Sequence, residues 1–276
     1  MATPLVSVVL AARDAEATVG EAVDGVLRQT VHDLELIVVD DGSVDGTGDA
    51  LEAVGDPRLR VLRNEKPLGL AGALNRGLDV AGGTYVARMD ADDVALPRWL
   101  ERVVSRIRSR PSAAVVGTGT IDLHENGALG TVHRMPAGAL GTRWAALFSS
   151  PFFHPTVIVD RAVLERDGLR YDTSFGESED YDLWTRLFEH ADGDNLSEAL
   201  VLKRVHPGQA SVLRRDVQES FQRRVALREI GRFGVDAEAV WRGSRGELLQ
   251  LLRAFERRHG VSWPVRRAAL RRLVRR

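Results

Sequence analysis

The 276-residue chain contains no cysteine, so it can form neither a disulfide framework nor a thiolate metal site. This absence is typical of proteins from a reducing compartment. No stretch approaches the roughly 18 consecutive apolar residues that a membrane-spanning helix needs. The first residues, MATPLVSVVLAARDAE, lack the basic start and the long apolar centre of a secretory signal. The sequence therefore predicts a cytoplasmic protein, and its 44% apolar and 28% charged composition is that of an ordinary globular one.

A strong net charge is also lacking, because the formal total is −1. This average conceals an asymmetry. Residues 241–276 hold eleven arginines against two glutamates, a net charge of +9, which leaves −10 for residues 1–240. An acidic body of this kind opposes binding to nucleic acid.

The last stretch, WPVRRAALRRLVRR at 263–276, has helical spacing with a narrow apolar stripe between arginines. The stripe consists of Ala269, Leu270, Leu273 and Val274. A basic amphipathic helix can lie on an anionic surface, which would put the protein at the inner face of the membrane. A solvated helix packed on the rest of the chain, or a homodimer contact, would explain the same pattern.

The first 110 residues alternate short apolar runs with helical patterns. Continuous β-branched runs such as LVSVVLAA and LELIVVD suit strands that are buried on both faces of a parallel sheet. Predicted strands cover 5–12, 34–40, 58–62 and 84–90; predicted helices start at Val19 and cover 47–54, 70–81 and 97–108. This alternation predicts an α/β protein with a doubly wound, mostly parallel sheet.

The second part of the chain is less regular. Strands are predicted at 113–123 and 156–160, with a glycine-rich loop segment between them, and a helix at 179–191. Beyond about Arg215 the pattern becomes helical and increasingly basic. The sequence therefore predicts a C-terminal helical extension behind the sheet.

Two acidic clusters follow predicted strands. VVDDGSVDGT ends the second strand, and MDADD ends the fourth. Each cluster alone can be explained as a turn, a helix cap or a solvated loop. Ligands of open α/β sheets bind outside the carboxyl ends of the strands, where these clusters would form one acidic crevice. Mg²⁺ or Mn²⁺ prefers such oxygen ligands, so the sequence predicts a divalent metal there.

Two further motifs can carry chemistry. ESEDYDLW places Glu179 and Asp180 at a helix start, where the helix dipole alone would favour negative charge. RVHPGQAS places His206 before a proline, in an extended loop, and a single histidine of this kind can also be purely structural.

Seven motifs in order resemble the family 2 inverting glycosyltransferases of GT-A fold. They are SVVLAARDAE, ELIVVDDGSVDGT, LAGALNRGL, YVARMDADD, FFHPTVIV, ESEDYDLWTRL and RVHPGQAS, and the match runs from about residue 5 to about residue 212. The resemblance implies a catalytic domain over 1–212, with a nucleotide-sugar half at 1–110 and an acceptor half at 111–212. The basic helical extension would then occupy 213–276.

The resemblance also implies roles for individual residues. Asp41 would contact the nucleobase, Asp90 the ribose, and Asp92 the metal, with His206 near the metal or the diphosphate. Asp180 would be the catalytic base, with Glu179 beside it. The other residues expected to bind the nucleotide sugar are Ala11, Arg13, Asn75, Arg88 and Ala91.

One departure from the family pattern concerns the nucleobase. The family usually has Pro-x-Tyr-Asn after the first strand, where this chain reads Ala11-Ala12-Arg13-Asp14. The planar guanidinium of Arg13 could stack on a base in place of the aromatic ring. UDP is the family's default donor nucleotide, and the departure keeps dTDP and GDP open.

The chemistry of transfer fits one carboxylate base. A nucleoside diphosphate is a good leaving group once a divalent cation offsets its charge, so no protein acid is required. We therefore expect a single in-line displacement with inversion, in which a hydroxyl acceptor loses its proton to Asp180. The acceptor is expected near SSPFFHP and the Asp180 helix, with Phe152, Phe153, His154 and Trp184 as pocket walls. Core packing would explain the aromatic residues equally well.

Two other functions remain open from the residues. A nucleotidyltransferase also uses an acidic metal crevice, but AARDAEATVG lacks the glycine-rich basic triphosphate loop that it usually needs. A non-catalytic nucleotide-binding module could share the fold, because fold alone does not determine function. The presence of Asp90, Asp92, Glu179 and Asp180 favours the glycosyltransferase.

Overall fold

One nine-stranded sheet organises the computed structural model, which describes residues 3–206 and 214–274. The strands are β1 (Val6–Ala12), β2 (Leu34–Asp40), β3 (Leu59–Arg63), β4 (Tyr85–Asp90), β5 (Val94–Ala95), β6 (Ala113–His124), β7 (Leu129–His133), β8 (Ile158–Asp160) and β9 (Asp192–Val205). Their order in the sheet is β3-β2-β1-β4-β8-β6-β9-β5, and β7 pairs with β6.

The helices connect and follow these strands. They are α1 (Val19–Leu27), α2 (Thr47–Glu52), α3 (Gly69–Val80), α4 (Trp99–Arg108), α5 (Ala139–Ala145), α6 (Arg161–Arg166), α7 (Glu179–Leu187), α8 (Arg215–Gly231), α9 (Ala237–Trp241), α10 (Arg245–His259) and α11 (Trp263–Val274). A short 3₁₀ turn covers His154–Thr156. The α/β class and the helical C-terminal part are as predicted.

Parallel pairing in the first half brings the acidic strand ends together. β1 pairs in parallel with β2 on one side and with β4 on the other. Ala12 lies opposite Asp40, and Ala11 lies opposite Asp90, so both acidic clusters flank the end of β1. The edge expected to carry the crevice is therefore one continuous edge of the sheet.

The second half of the sheet is mixed and was predicted less well. β8 is antiparallel to both β4 and β6, whereas β9 runs parallel to β6. The helix expected at 179–191 ends at Leu187, and the long strand β9 follows it. β9 was not predicted because DGDNLSEALVLKRV mixes polar and apolar residues without a steady period, and its pairing with β6 shifts register. The elements β5, β7, α5 and α6 were also not predicted.

Apolar side chains cover both faces of the sheet. On one face α1 and α4 pack with residues such as Val23, Leu100 and Val103. On the other face α3 and α7 pack with residues such as Leu74 and Leu187. Strands β1 and β2 are thus buried on both sides, which explains their largely apolar character, whereas the edge strand β3 is largely exposed.

The C-terminal helices share a third core with α5. Trp144 of α5 meets Phe255 of α10 at 5.2 Å between ring centroids, edge to face. In α11 the predicted apolar stripe is divided: Ala269 is buried in this core, whereas Leu270 and Val274 are 56% and 80% exposed. Within the described ranges, no helix has both the length and the apolar character needed to cross a membrane. The expected boundary at 212, and the motif residues PGQAS that follow His206, lie outside the described residues.

Candidate active site

Two adjoining cavities open at the carboxyl ends of the parallel strands. The large cavity has a volume of about 1060 Å³, and its lining includes Ala11, Arg13, Asp90, Ala91, Asp92 and His206. The small cavity has a volume of about 310 Å³, and its lining includes Arg88, Asp90, Asp92, His154, Glu179 and Asp180. Because Asp90 and Asp92 line both, the end of β4 forms the border between the two cavities.

The loop after β1 is fixed to the loop after β2. The backbone N–H of Asp14 donates to Ser43 Oγ at 3.0 Å, and the N–H of Val44 donates to Asp14 Oδ1 at 2.9 Å. Asp14 has a φ of +50°, a left-handed conformation that aspartate tolerates better than most residues. This loop holds Arg13 at the large cavity, where its side chain is more than half exposed and lies 3.7 Å from the carboxylate of Asp14.

Asp41 and Asn75 are occupied by contacts within the chain. Asp41 is buried and accepts hydrogen bonds from Asn64 Nδ2 at 2.6 Å and from the N–H groups of Leu68 and Gly69 at 2.8 and 2.9 Å. Asn75 holds Tyr171 through both the N–H and the carbonyl of that residue. Neither lines the two cavities. Both residues therefore anchor α3 in this structure. Their expected contacts with the nucleotide sugar stay predictions.

Three carboxylates of the loop after β4 converge. Oxygens of Asp90, Asp92 and Asp93 lie within 4.8 Å of one another. Asp92 Oδ2 lies 3.2 Å from Nε2 of His206, so strand β9 and the β4 loop bring the predicted pair together. The N–H of Arg204 donates to Asp93 Oδ1 at 2.9 Å, which orients that carboxylate.

The electrostatics of this cluster fit a divalent cation. Burial, and then the charge of Asp90, raise the pKa of Asp92. Burial, followed by the charges of Asp90 and Asp92, raises the pKa of Asp93 well above its usual range. The second oxygen of Asp93 is buried without a hydrogen-bond partner among the described residues. Several convergent oxygens beside one imidazole are a suitable donor set for Mn²⁺ or Mg²⁺.

Arg88 joins this cluster to the small cavity. The residue is 5% exposed, and its Nη2 forms an ion pair with Asp90 Oδ1. Its Nε and Nη1 are buried, and no described residue accepts a hydrogen bond from them. The positive charge acts on Glu179 and Asp180 as well, where it favours the ionised carboxylates. Arg88 therefore offers donors and charge at the centre of the site.

The pair Glu179-Asp180 begins α7, directly after Ser178, whose φ is +69°. Burial, and then the charge of Asp180, raise the pKa of Glu179 to about 8. Burial also raises the pKa of Asp180, but Ser150 Oγ donates to its Oδ2 at 2.9 Å and so offsets part of that rise. The two neighbours are thus unequal, because only Asp180 accepts a side-chain hydrogen bond that favours its ionised form.

The residues expected to contact the acceptor separate into two groups. His154 lines the small cavity together with Phe152 and Phe153, and its Nε2 lies 2.9 Å from the hydroxyl of Tyr171. Burial, followed by the charge of Arg88, keeps the pKa of His154 well below its usual value. Trp184 is 0% exposed, packs edge to face on Phe152, and lines neither cavity, so the structure places it as a support.

The sequence analysis missed several residues that line the small cavity. The polar residues among them include Ser150, Lys203, Gln218 and Gln222. Ser150 lies in the SSPFFHP segment that the acceptor was expected to approach, so its hydroxyl could have been named. Lys203 lies on the unpredicted strand β9, and the two glutamines lie on α8, beyond every recognised motif.

Comparison with known proteins decides the family. The model of glycosyl transferase family 2 matches residues 7–166. A glycosyltransferase of Haemophilus influenzae, itself uncharacterised, is 30% identical over 86% of this chain and 78% of its own length. The chain belongs to glycosyl transferase family 2. It is therefore a glycosyltransferase enzyme, as predicted, and the rival nucleotidyltransferase and non-catalytic readings are not supported.

More distant relatives agree with this family. The Escherichia coli UDP-Glc:alpha-D-GlcNAc-diphosphoundecaprenol beta-1,3-glucosyltransferase WfgD is 28% identical over 75% of this chain and 79% of its own length. A crystal structure of S. aureus TarS in complex with UDP-GlcNAc matches with a TM-score of 0.64 at 18% identity, and covers 98% of this chain and 89% of that chain. The structural likeness confirms the predicted GT-A fold.

Proposed function

We propose that this family 2 glycosyltransferase moves a sugar from a nucleoside diphosphate sugar to an acceptor hydroxyl, with inversion and with a divalent metal. The observation that carries the proposal is the position of Asp90 and Asp92 on the border between the two cavities, with Asp180 in the small one. A donor in the large cavity and an acceptor in the small cavity would meet at that border.

The donor is proposed to be a UDP-sugar. The relative WfgD is named for UDP-Glc, and TarS has been solved with UDP and with UDP-GlcNAc. A volume of about 1060 Å³ is ample for a nucleotide sugar. Arg13 at its wall can stack on the base by its guanidinium plane, and dTDP and GDP remain to be compared directly.

Asp92 and His206 would hold the metal, with Asp90 and Asp93 next to them. When bound, Mn²⁺ or Mg²⁺ would offset the charge of the leaving diphosphate. The buried Nε and Nη1 groups of Arg88 can donate hydrogen bonds that stabilise the negative charge of the diphosphate. Such charge-assisted hydrogen bonds are strong in a water-poor site. No carboxylic acid is then needed on the leaving-group side.

Asp180 acts as the general base on the acceptor side. Its carboxylate takes the proton of the acceptor hydroxyl while that oxygen attacks the anomeric carbon from the face opposite the diphosphate, and the C–O bond to the diphosphate breaks. Ser150 orients the carboxylate and favours its ionised form through its 2.9 Å hydrogen bond. This single displacement inverts the anomeric centre.

A thermal-shift panel tests the donor and metal parts of the proposal. UDP, dTDP and GDP are each added with and without Mn²⁺ to wild type and to Asp92→Asn. We expect the largest stabilisation with UDP and Mn²⁺, and its loss in the variant. A nucleotide shift that is equal with and without Mn²⁺ would count against metal dependence.

Replacing the proposed general base, Asp180, tests the mechanism. Asp180→Asn should lower sugar transfer by about 10²- to 10⁴-fold, the usual contribution of a general base, while the UDP-dependent thermal shift persists. Asp182→Asn would be a poor control, because that carboxylate is buried in ion pairs with Arg186 and Arg228. The exposed Asp24 of α1 is the better control, and Asp24→Asn should keep wild-type turnover. Wild-type turnover by Asp180→Asn would refute the assignment.

We further propose that α11 touches an anionic membrane surface. Trp263, Leu270 and Val274 are 73%, 56% and 80% exposed, and their spacing puts them on one face of the helix. Arg267 and Arg271 are exposed near them, and α11 contains no acidic residue. Apolar side chains among arginines complement a bilayer with anionic headgroups.

Vesicle co-sedimentation tests this surface. The variant with serine at Trp263, Leu270 and Val274 should lose binding to phosphatidylglycerol vesicles, whereas Val44→Ser, at a residue 93% exposed on another surface, should keep it. Binding that is equally weak for wild type and the triple variant would refute the proposal. Light scattering on the same samples shows whether the face instead forms a homodimer.

A further inference from the structure

Two glutamines of α8 face the cavity that holds the proposed base. Gln218 and Gln222 both line the small cavity together with Asp180, and both are half-buried. In the part of the chain that the structure describes, no group forms a hydrogen bond with either side-chain amide. Both amides are therefore available to form hydrogen bonds with a ligand in this cavity. The family model ends at residue 166, well before α8.

The position of α8 relative to the cavity is fixed by several contacts. Phe221, between the two glutamines, packs on Phe175 with 5.6 Å between ring centroids. Arg214, just before the helix, forms an ion pair with Glu177 at 3.1 Å. Farther along, Arg228 Nη1 lies 2.7 Å from the buried carboxylate of Asp182 on α7. The helix is therefore held against the element that carries Asp180.

The chemistry of the pair suits a sugar ring. Residues four apart on a helix are neighbours, about 5–6 Å apart at Cβ, so the two amides lie side by side along one wall. Each amide offers both a donor and an acceptor, and adjacent hydroxyls of a pyranose offer the same. A carboxylate can only accept and an ammonium can only donate, so an amide pair is more selective for such hydroxyls.

We infer that Gln218 and Gln222 form a subsite for the ring of a pyranoside acceptor, whose free hydroxyl is thereby presented to Asp180. The inference rests on the proposed function and adds the class of acceptor to it. The C-terminal extension then contributes to specificity, since the residues that select the acceptor lie on its first helix. Gln218 and Gln222 are positioning residues and take no part in the bond changes.

The test compares Gln218→Ala, Gln222→Ala and the double variant with wild type. Gln250→Ala is the control, because Gln250 lies exposed on α10 and lines neither cavity. Three quantities are measured: the thermal shift with UDP and Mn²⁺, the slow hydrolysis of a UDP-sugar without acceptor, and transfer to p-nitrophenyl pyranosides of glucose, galactose, mannose and N-acetylglucosamine. Deoxy analogues of the best pyranoside complete the set.

We expect each single variant to raise the acceptor KM by roughly 3- to 10-fold, the effect of one lost hydrogen bond, with donor KM, UDP shift and hydrolysis unchanged. Wild type should transfer sugar to the parent pyranoside better than to the deoxy analogue that lacks the hydroxyl bound by one of the two amides. The variant without that amide should not distinguish the two acceptors. A purely structural role would lower all activities together and leave the preference intact.

Other outcomes overturn the inference. If donor KM or UDP-sugar hydrolysis changes while acceptor KM does not, the glutamines belong to the donor. If wild type hydrolyses UDP-sugars but transfers to none of the pyranosides, the acceptor is of another class and the subsite is refuted, although the proposed function stands. If no UDP shift and no hydrolysis occur in wild type, the proposed function itself fails.

Discussion

Replacing Glu179 with glutamine should stabilise the protein, and more so as the pH rises. Glu179 is 5% exposed at the start of α7, and its neighbours include Asp180, Glu177, Arg88 and His154. Burial, and then the charge of Asp180, raise its pKa from the ordinary 4.5 to about 8. The ionised form is therefore unfavourable in the folded state, and glutamine resembles the protonated form in size and polarity.

The direction in which folded stability changes with pH follows from proton binding. Between pH 4.5 and about 8 the unfolded chain has released this proton while the folded protein retains it, so folded stability falls as the pH rises. The stability is fully present below 4.5 and is lost progressively up to about 8. At about 1.4 kcal/mol per pH unit, this interval corresponds to at most about 5 kcal/mol. Glu179→Gln removes that loss, so the variant and wild type should differ little at pH 4.5 and most above pH 8.

Urea unfolding at pH 5, 7 and 8.5 measures the difference, and a gain of about 2 to 5 kcal/mol in the free energy of unfolding is expected at the highest pH. Glu52→Gln, at an exposed residue of α2, is the control and should change stability little at any pH. If Glu179→Gln raises the free energy of unfolding by the same amount at all three pH values, Glu179 does not hold a proton in the folded state. The inference that Glu179 and Asp180 differ in their environments then fails.

Two further predictions concern a hydrogen bond and a pair of glycines. Ser150→Ala removes the hydrogen bond that lowers the pKa of Asp180, so the acidic limb of the profile of kcat against pH should move to higher pH. Gly83→Ala should destabilise the protein by about 1–3 kcal/mol in urea unfolding, because its Cβ would lie 2.5 Å from the backbone nitrogen of Ser7. Gly20→Ala, in a helix with nothing within 4 Å, should instead stabilise it by about 0.4–1 kcal/mol.

Each of these predictions has an outcome that contradicts it. Ser149→Ala, at the exposed neighbour, should leave the pH profile unchanged. An unchanged profile for Ser150→Ala would mean that this hydroxyl does not control the proton acceptor. Equal stability of Gly83→Ala and Gly20→Ala would mean that the backbone near Ser7 yields readily.

The first half of the fold could be predicted because its central strands, β1 and β2, are buried almost throughout. The strand Leu34–Asp40 is apolar from Leu36 to Val39, and polar residues mark its end at the ligand edge. Asp92 and His206, which the sequence separates by more than one hundred residues, lie in contact. Their proximity was expected only from the resemblance to the family, because strand β9, which leads to His206, was not predicted.

The second half could not be predicted because its structure depends on tertiary contacts. β9 is a long strand whose buried and exposed residues do not alternate, since it pairs with β6 through register shifts. Asp41 shows a related limit: its motif predicts a ligand contact, which stays a prediction, but it does not predict the three hydrogen bonds that its oxygens accept from the chain. A motif identifies the residue type, but the contacts of that residue are set by what packs around it.

The two parts of the site are joined by a single guanidinium. Arg88 belongs to β4, whose end borders both cavities, and it pairs with Asp90 while its charge acts on Glu179 at the start of α7. Six carboxylates line the small cavity together with two cations, Arg88 and Lys203; they are Asp90, Asp92, Asp93, Glu177, Glu179 and Asp180. A protonated Glu179 removes one negative charge, but a donor diphosphate would add more. A site with this surplus of negative charge needs a further cation before it can bind a nucleotide sugar, which is the physical reason for proposing the metal.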